Sequence, residues 1–175
     1  MDLLWQDYIS SLLSSVNMSN NKTKPLDRID LMILSTLQAD GRISNVDLAK
    51  KVNLSASPCL DRVKRLETEG YIERYGAFLN ARKLNFGMSA FVQVTLSRTT
   101  SDSFKLFNKE VITIKEVVEC HLVAGGYDYL LKIRFADIES YRLVLENIGG
   151  LTNVAQTSTY IVTEHIKQDG GLPLD

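Results

Sequence analysis

Few side chains in this 175-residue chain are suited to covalent chemistry or to metal binding. There are two cysteines, Cys59 and Cys120, and two histidines, His121 and His165. Cys59 sits in SASPCLDRVKRLETEG, residues 55–70, close to Arg62, Lys64 and Arg65. A catalytic thiol needs a base within reach, and this half of the chain has no histidine to supply one. Cys59, Val63 and Leu66 recur at i, i+4 and i+7, so the thiol falls on an inward helical stripe, where a free cysteine behaves as a small hydrophobe. Cys120 and His121 are adjacent in ECH, residues 119–121. On a strand they face opposite ways, so one zinc cannot easily use both, and there is no CxxC to help. No Gly-rich phosphate loop and no Ser/His/Asp grouping is present. The remaining functional chemistry is that of charge and of bare backbone. Cations cluster between residues 62 and 65, Arg42 and Arg74 flank them, and a glycine pair precedes an acid in AGGYD, residues 124–128.

Three short helices must position the cations. Asp27 caps the first, whose stripe is Ile29, Ile33, Leu34 and Leu37; Asp40-Gly41 ends it. Ser44 caps the second, and Asp47 three residues on is placed to close a reciprocal capping box. Val46, Leu48, Ala49 and Val52 are its expected inward face. The third begins at Ser57, with Pro58 at the first helical position, where a missing N–H is harmless, and stops at Gly70. The second and third helices, joined by a turn through Asn53, Leu54 and Ser55, form a helix-turn-helix, whose second helix lies in the DNA major groove. On this reading Arg62, Lys64 and Arg65 point away from the apolar seam. The candidate DNA contacts are Arg42, Ser44, Asn45, Ser55, Ser57, Pro58, Asp61, Arg62, Lys64, Arg65 and Arg74. The alternative is a three-helix core whose charged outer face only keeps it soluble. YIERYGAFLN, residues 71–80, is expected to form one or two short strands, and Asn80 to Gly87 a hinge.

The second half has another rhythm. Met88, Ala90, Val92, Val94 and Leu96 alternate with polar residues, which predicts a strand with one buried face. A helix over 103–111, a strand over 116–123, the AGGYD turn, a strand through Tyr129 to Phe135, a helix capped by Asp137 and a last strand over 154–166 follow. Strand-helix-strand-strand-helix-strand is the ferredoxin-like pattern. The fold class expected is therefore α+β: a winged helix-turn-helix followed by a ferredoxin-like βαββαβ domain. The boundaries expected are 1–25 for an extension and linker, 26–79, a hinge at 80–86, 87–168, and a tail at 169–175.

Charge divides along the same line. Residues 22–86 hold 12 Lys+Arg against 8 Asp+Glu, and residues 87–175 hold 8 against 11. Such a split fits two modules with different partners, or a solvated surface with uneven charge. Two cysteines and no secretory leader point to a reducing, cytoplasmic setting. The first sixteen residues are apolar but carry Asp2 and Asp7 and no early positive charge, unlike a signal peptide or a membrane span. Either they form an extra amphipathic helix or Met18 is the start.

The string GRISNVDLAKKVNLSASPCLDRVKRLETEGYI (41–72) resembles the Lrp/AsnC family of transcription regulators. The similarity continues through ECHLVAGGYDYLLKIR (119–134) and TSTYIVTEHIK (157–167). It implies a non-enzymatic regulator of transcription that binds double-stranded DNA and responds to an amino acid, leucine or similar. It also implies homodimers that assemble to octamers or similar, with the effector held where dimers meet and no other cofactor. The effector contacts it implies are Leu122, Gly125, Tyr127, Asp128, Ile138, Tyr160, Ile161 and Val162. From the residues alone, AGGYD reads more readily as a simple hairpin turn. Two other functions fit the same scaffold: an architectural DNA-compacting protein, and a decarboxylase of the kind found among the family's relatives. The chain departs from the family pattern at Gly126 and in LENIGGLTNVAQ (145–156), which lacks a proline before the last strand.

Overall fold

Asp27 starts the first helix as the sequence predicts: its carboxylate accepts the Asp30 N–H, and the Asp30 carboxylate accepts the Asp27 N–H. In the computed structural model, which describes residues 24–168 and 170–174, this helix is α1, Arg28–Ala39. It is followed by α2, Asn45–Lys51, and α3, Ala56–Thr68. Ile33, Leu48, Ala49, Val52, Cys59 and Leu66 form the core of this unit, all at most 2% exposed. Val46, expected inside, is exposed; a seven-residue helix has only one narrow stripe to bury, and Leu48, Ala49 and Val52 fill it.

Both helices of the helix-turn-helix end the same way. After α2, Asn53 adopts φ 55°, with Leu54 N–H on the Ala49 carbonyl and Asn53 N–H on that of Lys50. After α3, Gly70 adopts φ 78°, with Tyr71 N–H on the Leu66 carbonyl and Gly70 N–H on that of Glu67. Each is a Schellman closure, in which a left-handed residue turns the chain so that two otherwise unpaired carbonyls are satisfied.

Two local expectations are corrected here. α3 begins at Ala56, not Ser57, so Pro58 is its third residue, still within the turn whose N–H groups have no helical acceptor. Residues 73–80 form no strand. The hinge contains a short 3-10 turn, Arg82–Leu84, closed by Asn85 at φ 62°.

The other unit is built on four strands: β1 Met88–Leu96, β2 Val117–Leu122, β3 Tyr129–Phe135 and β4 Val154–Ile161. Their order is β2-β3-β1-β4, with every pairing antiparallel. The two crossover helices, α4 Ser101–Val111 and α5 Ile138–Gly149, join β1 to β2 and β3 to β4. Alternation decides the core: Ala90, Val92 and Val94 of β1 and Tyr129, Leu131, Ile133 and Phe135 of β3 are at most 1% exposed, packed with Phe104, Phe107, Val111, Val144 and Ile148 from the helices. The Tyr129 ring lies 4.3 Å from that of Phe107, and its hydroxyl donates to Asn108. The opposite sheet face carries Phe91, Leu130, Lys132 and Tyr160. β4 is shorter than its apolar run suggests, because after Ile161 the chain leaves the ladder, with Val162 N–H still held by the Ser89 carbonyl.

The described residues divide into these two compact units, residues 24–78 with 167–174 in one and Leu79–Ile166 in the other. Residues 170–174 thus group with the helix-turn-helix unit.

Candidate nucleic-acid interface and effector turn

α3 has two unlike halves. From Ser55 to Asp61 its outer residues, among them Ser57, Pro58 and Leu60, are exposed, and Lys64 continues that face. Ser55 makes no side-chain capping bond, and the first turn contains no acid, so the positive end of the helix is not neutralised locally. From Arg62 onward the charged groups turn inward. Arg62 Nη1 lies 2.7 Å from Asp27 Oδ2 and 2.8 Å from Asp30 Oδ1, and Arg65 Nη2 lies 2.6 Å from Asp30 Oδ2. Arg65 also reaches Glu69 at 3.5 Å. The expectation that Arg62 and Arg65 point away from the core is thus overturned: both are spent on α1.

The reason is Asp30. Among the described residues of this unit it is the one carboxylate with no exposed surface, at 0%. Burial alone would raise its pKa, but the adjacent Arg65 guanidinium, the Asp27 backbone amide and Arg62 together outweigh that and hold it at about 2. An ion left unpaired there would be strongly destabilising, so two guanidinium groups are recruited. A signal for this existed in the sequence: Asp30, Ile33 and Leu37 share one stripe at i, i+3 and i+7, and an acid on a buried stripe demands a cation.

The remaining candidates divide the same way. The Ser44 hydroxyl accepts the Asp47 N–H at 3.1 Å and donates to Asp47 Oδ2 at 2.7 Å, in place of the expected reciprocal bond to the Ser44 amide. Asn45 Nδ2 donates to the Ala56 carbonyl at 2.8 Å, bracing the first residue of α2 against the first of α3. Arg42, Ser55, Ser57, Pro58, Asp61, Lys64 and Arg74 are exposed. Lys51, not singled out in the sequence, is exposed beside them; Lys50 is paired with Asp47. Tyr75 donates to Glu67 at 2.9 Å, and burial together with this acid pushes its pKa up to about 12.

Neither thiol is poised for reaction. Cys59 is fully buried, and burial raises its pKa. Burial also pushes Cys120 up to about 11 although the residue as a whole is exposed. Cys120 pairs with core-facing Leu131 and His121 with Leu130, so the two do project to opposite faces. Among the described residues no group of three potential metal ligands is found, and no helix is long and apolar enough to cross a membrane.

The residues considered for an effector form two clusters. Leu122, Gly125, Tyr127 and Asp128 surround the β2–β3 turn, which sits at the Val94–Leu96 end of β1, since Asp128 N–H donates to the Val94 carbonyl. Tyr160 and Ile161 lie opposite Phe91 and Ala90, at the other end, with Val162 beyond them. Ile138 opens α5 three residues after Phe135, which pairs with Met88 at that same end. The four residue steps along β1 from Ala90 to Val94 separate the clusters by about 13 Å.

Asp128 is not free for a ligand ammonium in the way the sequence suggests. It is 8% exposed, and its Oδ2 accepts the Leu96 N–H at 2.7 Å, just where the β1–β4 register shifts. Gly125 and Gly126 are the opposite case. Neither has a left-handed φ, and a β-carbon on either would meet nothing within 4 Å. Among the described residues nothing requires glycine at this turn.

A helix-turn-helix unit followed in the chain by a four-stranded sheet domain defines a class: DNA-binding regulators with an attached small-molecule domain. Two family models match along the chain, a winged helix-turn-helix DNA-binding model over residues 26–73 and an Lrp/AsnC ligand binding domain over residues 89–172. The chain is 50% identical over 150 residues to a leucine-responsive regulatory protein of Klebsiella pneumoniae, covering 85% of this chain and 92% of that one. Among solved structures it is similar to a transcriptional regulator of Neisseria meningitidis in complex with L-methionine, with 36% identity, coverage of 86% and 98%, and a TM-score of 0.82. It is also similar to a feast or famine regulatory protein of M. tuberculosis complexed with L-methionine, with 31% identity, coverage of 85% and 99%, and a TM-score of 0.77. The chain belongs to the Lrp/AsnC family. It is a DNA-binding transcription regulator with an amino-acid-binding domain, and its relatives are regulators, not enzymes.

Proposed function

We propose that the protein binds its operators as a homo-oligomer and that an apolar amino acid, leucine or methionine, tunes this binding from a site completed by a second copy. The observation that carries the reading is the separation of the two effector clusters along β1: about 13 Å is too far for one free amino acid to touch both within one subunit. The unconstrained glycines support it, because bare backbone that the chain itself does not need suits close approach by a ligand or a neighbour. Gly125 then offers its amide to the ligand carboxylate, while Leu122 from one copy and Tyr160 from another supply apolar walls. Asp128 holds the turn in shape rather than binding the ligand directly. The half-apolar sheet face bearing Phe91, Leu130 and Tyr160 suits pairing with a second copy. Complexes with L-methionine in two relatives favour a thioether or branched aliphatic side chain.

On the DNA side, the hydroxyls of Ser55 and Ser57 at the entrance of α3 are the base-reading candidates, Lys64 serves beside them, and Arg42, Lys51 and Arg74 hold phosphates. Arg62 and Arg65 act indirectly, by fixing α3 on α1. The cytoplasm, at the nucleoid, is the place such a function requires.

A screen of the twenty amino acids tests the effector reading: a ligand that binds only the folded protein raises its melting temperature. Leucine or methionine should raise it and shift sedimentation, with the shift dependent on protein concentration. A ligand effect that persists unchanged at dilutions where only monomer remains would refute the shared site. Lys64→Ala should weaken binding at all sequences and lower the salt-dependence slope by about 1.

A further inference from the structure

After Ile166 the chain comes back to α1. Gln38 Nε2 donates to the Leu172 carbonyl at 2.9 Å, and the Leu172 N–H donates to Gln38 Oε1 at 2.8 Å. One side-chain amide thus satisfies both polar groups of one peptide residue, the way a sheet edge reads an added strand without regard to its side chains. A β-carbon at the neighbouring Gly171 would overlap the Gln38 carboxamide, so a larger residue there requires that side chain to swing aside from its two bonds.

Two residues further on, Leu174 lines a cavity of about 260 Å³ with Arg28, Leu31, Met32, Ser35 and Thr36. Arg28, Leu31, Ser35 and Gln38 recur at i, i+3, i+7 and i+10, so the cavity and the amide lie along one stripe of α1. This stripe is separate from the one that carries Ile33 and Leu37 into the core. Pro173, between the two anchor points, restricts the free segment and so lowers the entropy lost when it is seated.

We propose that this stripe of α1 is a docking site for an extended Gly-Leu-Pro-Leu peptide, and that its resident ligand is the chain's own segment 171–174, acting as a reversible strap. Seated, the strap attaches both ends of the Leu79–Ile166 segment to the helix-turn-helix unit. Released, it leaves the covalent connection at residue 78 as the attachment. The inference does not depend on the effector site proposed above, since it rests on α1 and the terminal segment alone.

Trimming of the full-length protein by carboxypeptidase Y, followed by mass spectrometry, tests it. Digestion of the unaltered chain should stall at Leu174. Gln38→Ala and Gly171→Val should each release the stall and speed trimming roughly fivefold or more, the loss expected when two exposed hydrogen bonds go. Both changes lie outside the core, so circular dichroism should be unchanged. Leu172→Ala should trim like the unaltered chain, because that side chain is 71% exposed and only its backbone is read. Equal rates in all four proteins would overturn the strap, and so would Leu172→Ala behaving like Gln38→Ala. Protection that falls on dilution would overturn the intramolecular reading and assign the seat to the tail of a second copy.

Discussion

The helix-turn-helix unit and the sheet unit treat their polar residues in contrasting ways. In the first, a buried acid draws arginines off the surface, so residues that look like ligand contacts become structural. In the second, one acid is likewise withdrawn to hold backbone, but two glycines next to it are left with no internal role. Charge on a sequence therefore marks function poorly where a buried counter-ion competes for it. Backbone left bare without a conformational reason is the better mark.

The sharpest way to break this contrast is at Asp30. Asp30→Ala strands two arginines and should destabilise the helix-turn-helix unit by about 3 kcal/mol, read by urea denaturation followed by far-ultraviolet circular dichroism. Arg62→Ala with Arg65→Ala should do comparable damage, and intact melting with selective loss of DNA binding would show instead that these arginines are contacts. Asp128→Ala comes next: losing a charged acceptor for the Leu96 amide should destabilise the sheet unit by about 2 kcal/mol. If it blunts the effector response with no change in stability, Asp128 belongs to the ligand after all.

A pH titration sharpens the comparison further. The folded pKa of Asp30, about 2, lies below its ordinary 3.8, so this carboxylate stabilises the fold above pH 4 and ceases to do so as pH falls through 2. About 2 kcal/mol should disappear over that range, and Asp30→Asn should abolish that component. The smallest effect is expected at the turn: Asn53→Gly should change stability by less than about 0.5 kcal/mol and Asn53→Ala should cost about 1, because only the latter opposes a left-handed φ.

The architecture could be read from the sequence because it rests on period. Alternation along β1 and β3 and the stripes of α1 and α3 each report an inward face; the strand positions are buried, and Ile29, Leu34, Leu37 and Val63 pack partly buried against Ile33, Cys59 and Leu66. The Asp27, Ser44 and Asp137 caps are also where sequence places them. What sequence did not disclose depends on partners distant in the chain. Arg62 and Arg65 are 32 and 35 residues from Asp30, and a helical wheel of α3 alone cannot see that acid. The strand expected over 71–80 was inferred from composition, but no described strand offers those residues a ladder. The last strand was expected to reach Ile166, but it ends at Ile161 opposite Ala90, two residues short of the Met88 end of β1. The helix boundary at Ala56 moved for a simpler reason: Pro58 is tolerated anywhere in a first turn, and so it marks a start only to within two residues.

At the mouth of α3, Ser55 leaves the first amides without a side-chain acceptor, and no carboxylate follows until Asp61. The unbound regulator therefore keeps this helix under-terminated on the side that would meet a phosphodiester. A nucleic acid arriving there would complete the cap as well as be read by it, so the reading helix should become stiffest only once its operator is in place.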